Sequence, residues 1–110
     1  ITASGEISGF FSDMRLKTKL GGIENALDKV LSLDGFYFRP NEIAQGLGYE
    51  DKVHVGLSAQ QVASVMPEII REAPIDPEYL TLDYAKLVPL LVEAIKELKE
   101  EVDELKRAAK

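Results

Sequence analysis

Ser12 and Lys17 stand five positions apart in the stretch FSDMRLK, and together they hold the parts of one reaction. A serine hydroxyl is a poor nucleophile until a base takes its proton. A lysine serves as that base when burial disfavours its ammonium form and brings its pKa from about 10.4 towards neutrality. Ser–Lys pairs carry acyl transfer on these terms. A gap of five closes only where the chain bends, or where both side chains share one face of a turn. The bare pattern is common. Its plain reading is a turn capped by Ser12 or Asp13, with Arg15 and Lys17 in solvent.

The remaining chemistry is sparse. There is one histidine and no cysteine, which removes disulfides, a thiolate metal site and a cysteine nucleophile. His54 sits between Val53 and Val55 in an alternating run and reads as a surface or satisfied residue rather than a base. Tyr37, Tyr49, Tyr79 and Tyr84 are scattered and read as core-edge packing. Gly46-Leu47-Gly48 lacks the helix and lysine of a phosphate loop. No carboxylate spacing supports a metal, so neither metal nor cofactor is expected. A net charge of −6 argues against a nucleic-acid surface. The longest apolar run, Leu87 to Val92, is far short of a membrane span, so no membrane partner is expected. The opening ITASGEISGFF lacks the pattern of a signal peptide.

A chain of 110 residues bounds one small domain, whose modest core leaves room for help from an oligomer. Residues 1–11, with Ser4, Gly5, Ser8 and Gly9 around Ile7, read as an extended segment of an upstream domain. Residues 22–33 place Ile23, Ala26, Leu27, Val30 and Leu31 at helical spacing, with a stop near Asp34-Gly35. Residues 36–39 and 53–57 read as the strands of a hairpin, and 40–52 as the loop between them. Ser58 and Gln61 have the spacing of a capping box. Val62 and Val65 then face the core, and Pro67 ends that helix or starts a new turn. Residues 73–78 read as a loop, Tyr79–Leu82 as a short strand, and Asp83 as a cap for the segment after it.

The final segment is the most regular. Val88, Ile95, Val102 and Ala109 recur every seven residues, and Leu91, Leu98 and Leu105 stand three positions behind the first three of them. This is an a/d heptad pattern over about three heptads. Glu101 and Lys106 fall at g and the following e, where they pair between helices. The polar face adds i,i+4 Glu–Lys pairs of about 0.2–0.5 kcal/mol each. So narrow a stripe asks for partner helices; the same pattern also serves a helix lying on its own domain. β-branched a positions with Leu at d lean weakly towards two strands. The expected fold class is α+β, mainly helical, with a small β-hairpin packed on helices and a long C-terminal coiled-coil helix.

Three stretches carry a resemblance: SDMRLKTKLGGIENALDKVLSLDGFYF, VGLSAQQVASVMPEII and LDYAKLVPLLVEAIKEL. In this order and spacing the chain resembles the C-terminal self-cleaving chaperone domain of bacteriophage tail fibres and tailspikes, the endosialidase-type intramolecular chaperone, over residues 12–106. The resemblance implies a homotrimer joined along Val88, Leu91, Ile95, Leu98, Val102 and Leu105. It implies that the partner is the upstream β-fibre or spike of the same polypeptide, and that this domain aids its folding. It implies self-cleavage of the Phe11–Ser12 bond, with Ser12 as nucleophile and Lys17 as base. Residues 1–11 would then end the fibre, and 12–110 would form the chaperone domain, with 86–110 as its coiled-coil helix. The setting implied is the host cytoplasm during phage assembly, with release from the mature virion fibre after the cut. The competing reading is a trimerisation module with an inactive site. Gln60, in the Gly-x-x-Ala-Gln motif, reads as a structural helix-start residue. The physics is coherent: interchain β-pairing is slow and slips register. A quick trimer raises the effective concentration of three fibre ends.

Overall fold

A computed structural model describes residues 12–109. The described residues form two compact units, one from 12–30 together with 83–109, the other from Leu31–Leu82. The fold is α+β, with a long C-terminal helix and two small antiparallel sheets. The expected extended segment at 1–11 lies outside the described residues.

In the Leu31–Leu82 unit, β1 (Phe36–Phe38) pairs antiparallel with β2 (His54–Gly56), with Tyr37 opposite Val55 and Phe38 opposite His54. His54 is half-buried and stacks on Phe38 at 5.3 Å between ring centroids. The connection is not the plain loop expected over 40–52. It contains a helix, α2 (Glu42–Gly46). The Asn41 side chain accepts from Ala44 N at 3.0 Å and caps its start. Its end is a Schellman turn: Gly48 N donates to Gln45 O at 3.0 Å and Tyr49 N to Ala44 O at 3.2 Å. That turn sets Gly48 at φ 111°, where a side chain is strained. The sequence hid this helix because it is short and bounded by residues that usually mark loops.

The next helix, α3 (Ala59–Ala63), starts as expected, with Ser58 Oγ accepting from Gln61 N at 3.1 Å. The return half of the capping box is absent. Gln61 instead turns to Asp34, accepting from its backbone N at 3.0 Å and donating to its Oδ2 at 3.0 Å. This pair ties the approach of β1 to α3. Val62 is fully buried and Val65 half-buried. Pro67 opens a new 3-10 turn, Pro67–Ile69. Then comes a second hairpin, absent from the sequence reading: β3 (Ile70–Ala73) and β4 (Asp76–Leu82). Residues 73–78 hold its turn rather than an open loop. The register runs Ile70–Leu82, Arg71–Thr81 and Glu72–Leu80, then shifts, so that Ala73 meets Asp76. Pro77, which has no N–H to give a ladder, falls in the interrupted part. This second hairpin packs against α3, with Val62, Ile69, Ala73 and Leu82 buried.

In the other unit, α1 (Ala26–Leu31) begins later than the expected residue 22 and is only six residues long. Asn25, immediately before it, has φ 55°, a left-handed conformation that asparagine tolerates. A 3-10 turn, Tyr84–Lys86, leads into α4 (Leu87–Ala108), 22 residues long. Asp83 holds the N-cap position of that turn without the expected side-chain cap bond. Pro89 falls in the first turn of α4, where no intrahelical N–H is needed. Lys106 and Arg107 in its last turn complement the helix dipole. Ala26, Leu87, Leu90 and Ala94 are the buried apolar residues of this unit. Among the described residues, no helix is long and apolar enough to cross a membrane, and no cluster of potential ligands could hold a metal ion.

Candidate functional site

The segment from Ser12 to Lys17 is one tight turn. Met14–Leu16 form a 3-10 turn capped by Asp13, whose Oδ1 accepts from Arg15 N at 2.9 Å. Arg15 folds back on the same carboxylate, with Nε donating to Oδ1 at 3.1 Å and Nη2 to Oδ2 at 2.8 Å. The Arg15 side chain and backbone bonds hold the Asp13 carboxyl below its ordinary range, and Arg15 is raised in return. Leu16 N and Lys17 N then bond back to Asp13 O and Met14 O at 3.0 and 3.1 Å. Ser12 therefore precedes the cap and Lys17 closes the turn. Asp13 is a cap, the role its position beside the serine suggested.

Ser12 and Lys17 are both exposed in the single chain. Ser–Lys chemistry needs a dehydrated amine, and one chain alone leaves Lys17 in water. Apolar neighbours are exposed too: Met14, Leu16 and Leu20, the last 96% accessible. Lys17 lines a shallow hollow with Met14, Leu16 and Leu20, and Ser12 does not line it. Further along, Lys19 and Gly21–Ile23 form a groove with Val88, Pro89 and Val92 of α4. The connection from the turn thus runs beside the first two turns of the long helix.

On α4 the predicted seam is present as a surface. Val88, Leu91, Ile95, Leu98, Val102 and Leu105 are all exposed, Ile95 at 65% and Leu105 at 70%. They form a continuous apolar stripe along a helix about 33 Å long. Lys99 pairs with Asp103 at 2.6 Å and Lys96 with Glu93 at 3.4 Å, both within the helix. Glu101 and Lys106, at the g and e positions beside the stripe, are exposed.

Sequence reasoning missed Glu97. Its Oε2 accepts from Ala26 N at 3.0 Å and its Oε1 from Leu27 N at 2.9 Å. One carboxylate on α4 thereby satisfies the first two N–H groups of α1. A signal existed: Glu97 continues the row of Leu90 and Ala94 at i+7 and i+3, the buried face of the helix. Gln60, by contrast, is exposed in the first turn of α3, as a helix-start residue would be.

With this geometry in hand, the comparison with known families decides the kinship. Residues 12–71, more than half of the chain, match the peptidase family described as chaperone of endosialidase. The chain is a member of this family. Its curated relatives include the long tail fiber protein Gp37 of Enterobacteria phage K3 and that of Enterobacteria phage T2. Each is 40% identical over 96 residues, 86% of this chain. Gp37 of Escherichia phage AR1 is 31% identical over 87 residues, 78% of this chain. The chain spans only 8%, 7% and 8% of those three proteins. As a chaperone-of-endosialidase domain, it thus corresponds to a small part of much larger tail fibre proteins.

Proposed function

We propose that this domain is an intramolecular chaperone that joins three chains and aids the folding of an upstream phage tail fibre. It then releases itself by cutting between Phe11 and Ser12. The observation that carries the reading is the uncovered heptad stripe of α4 in a chain of this family. Six large apolar side chains face water along one helix, and two further copies of the same stripe would bury them. The family match begins at Ser12, which supports a domain boundary there, with residues 1–11 as the fibre end. Phe11 itself lies outside the described residues. Folding and cutting would take place in the host cytoplasm, where the fibre is made.

The chemistry follows from the two side chains. Lys17, as the free amine, takes the proton of Ser12 Oγ. The oxygen attacks the Phe11 carbonyl carbon, and backbone N–H groups stabilise the oxyanion. The C–N bond breaks as the Lys17 ammonium returns its proton to the departing Ser12 nitrogen. Phe11 is then held as an ester on Ser12. Water hydrolyses the ester, leaving a Phe11 carboxylate and a free Ser12 hydroxyl. The exposed site of the single chain fits a scheme in which assembly dehydrates Lys17, so that only assembled chains are cut. The same exposure also suits the alternative, a trimerisation module that never cuts.

Intact mass separates the two. The full fibre-bearing chain is incubated as wild type, Ser12→Ala and Lys17→Ala, with sedimentation to fix the oligomer. A wild-type product beginning at Ser12, absent from both variants, establishes the dyad. A wild-type trimer that stays uncut leaves the clamp without the peptidase.

A further inference from the structure

We infer that Glu97 is a positioning residue for the proposed cleavage, one that transmits assembly of the α4 stripe to the turn carrying Ser12 and Lys17. The inference rests on the self-cleavage reading above and names how that site is regulated.

A six-residue helix cannot hold its own start in water. Helices usually satisfy their first N–H groups with a side chain at the N-cap. The residue before α1, Asn25, is instead in the left-handed region at φ 55°. The acceptors for Ala26 N and Leu27 N come from Glu97, about seventy residues later in sequence. Hydrogen bonds to an ionised acceptor are about twice as strong as neutral ones. Ala26 beneath the contact is fully buried. The place where α1 begins is therefore fixed by α4, not by its own sequence.

Glu97 stands between two groups of residues with different tasks. Ile95 and Leu98, two positions before it and one after, belong to the exposed stripe. Leu90 and Ala94, on its own row, are buried. Packing of the stripe against other chains would restrict α4, and Glu97 would pass that restriction to α1. From α1 the chain runs back through Ile23, Gly22, Gly21 and Lys19, which line the groove beside Val88 and Val92, to Lys17. Gly21 and Gly22 are the compliant link in this path: they lie along the groove beside α4, with open space where a Cβ would stand. A turn anchored at one end only by this path would be placed correctly for cutting when α4 is held.

The test uses the full fibre-bearing chain with Glu97→Gln, and Glu100→Gln on the exposed face as the control. A carboxamide keeps the shape but offers one acceptor oxygen where two donors converge. Trimer content is read by sedimentation and cleavage by intact mass. Amide exchange of residues 18–31 is read in a Ser12→Ala background, where no cutting intervenes. Glu97→Gln is expected to stay trimeric, to exchange Ala26 and Leu27 about ten-fold faster, and to cut at least about ten-fold more slowly. Glu100→Gln should match wild type in all three. Trimeric Glu97→Gln that cuts at the wild-type rate overturns the inference. So does loss of the trimer, which would make Glu97 a general part of the fold. If wild type itself is never cut, the self-cleavage reading fails. Faster exchange in Glu97→Gln then still upholds the Glu97 anchor, and unchanged exchange overturns it.

Discussion

The two faces of α4 differ in what covers them. Leu87, Leu90 and Ala94 are covered by their own chain, with Glu97 half-buried on the same side. Val88, Leu91, Ile95, Leu98, Val102 and Leu105 remain exposed in the single chain. The inner row, Leu87, Leu90, Ala94 and Glu97, and the outer row, one position later at each step, share the spacing i, i+3, i+7 and i+10. What separates them is cover, not periodicity. One helix therefore carries a covered face and an exposed apolar face. The inner belongs to folding and is independent of concentration; the outer, on the proposed function, would serve association and depend on concentration.

The largest effect should come from Leu98→Asp. A carboxylate in the outer seam would abolish association and cutting together, while circular dichroism of the monomer stays native. A monomer that still cuts would break the link between the seam and the site. Next comes Leu90→Ala on the inner face. Leu90 is completely buried, and truncating such a leucine costs about 2–5 kcal/mol. Denaturant unfolding should register that loss even at concentrations where the chain is monomeric. Equal losses from Leu90→Ala and Leu98→Ala in the monomer would erase the distinction between the faces.

A subtler probe is charge exchange at the rim of the seam. Glu101→Lys should weaken association by about 0.2–1 kcal/mol per pair and lose that effect in high salt. Adding Lys106→Glu should restore it if helices run parallel and in register. The smallest effect concerns the turn itself, which lies on neither face. Asp13 is held below its ordinary carboxyl range by Arg15, so its contribution is complete above the unfolded value, about 3.9. It is lost as pH falls through the lowered folded value. Protection of the Arg15 N–H, followed by NMR, should fade only in that acidic range, and Asp13→Asn should remove the dependence.

What was legible in the sequence was local. The β1–β2 hairpin, the Ser58 cap, the burial of Val62, the Pro67 turn and the long last helix each depend on a few neighbouring residues. What was not legible depended on partners far along the chain. Nothing near Gln61 says that it will choose Asp34 over its own capping box. Nothing near Asn25 says that α1 will wait for Glu97 before starting. The β3–β4 hairpin was missed because Pro74 and Pro77 read as breakers; Pro74 falls in the turn, and the register shift between Glu72 and Ala73 takes up Pro77. At the site, the types and spacing of Ser12 and Lys17 were visible at once, and so was the Asp13 cap. Their exposure was not, because spacing alone does not say whether the surrounding chain covers a side chain.

The sheets of this domain have one further consequence. β1 and β2 are three residues each, β3 is four, and the longer β4 is broken in register around Pro77. None offers a run of free backbone long enough to recruit another strand. On the proposed function, this domain would wait beside three unpaired β-chains, exposed to being knitted into them. Edges this short and interrupted would not be taken up as stitches, and the domain could stay close to the fabric without becoming part of it.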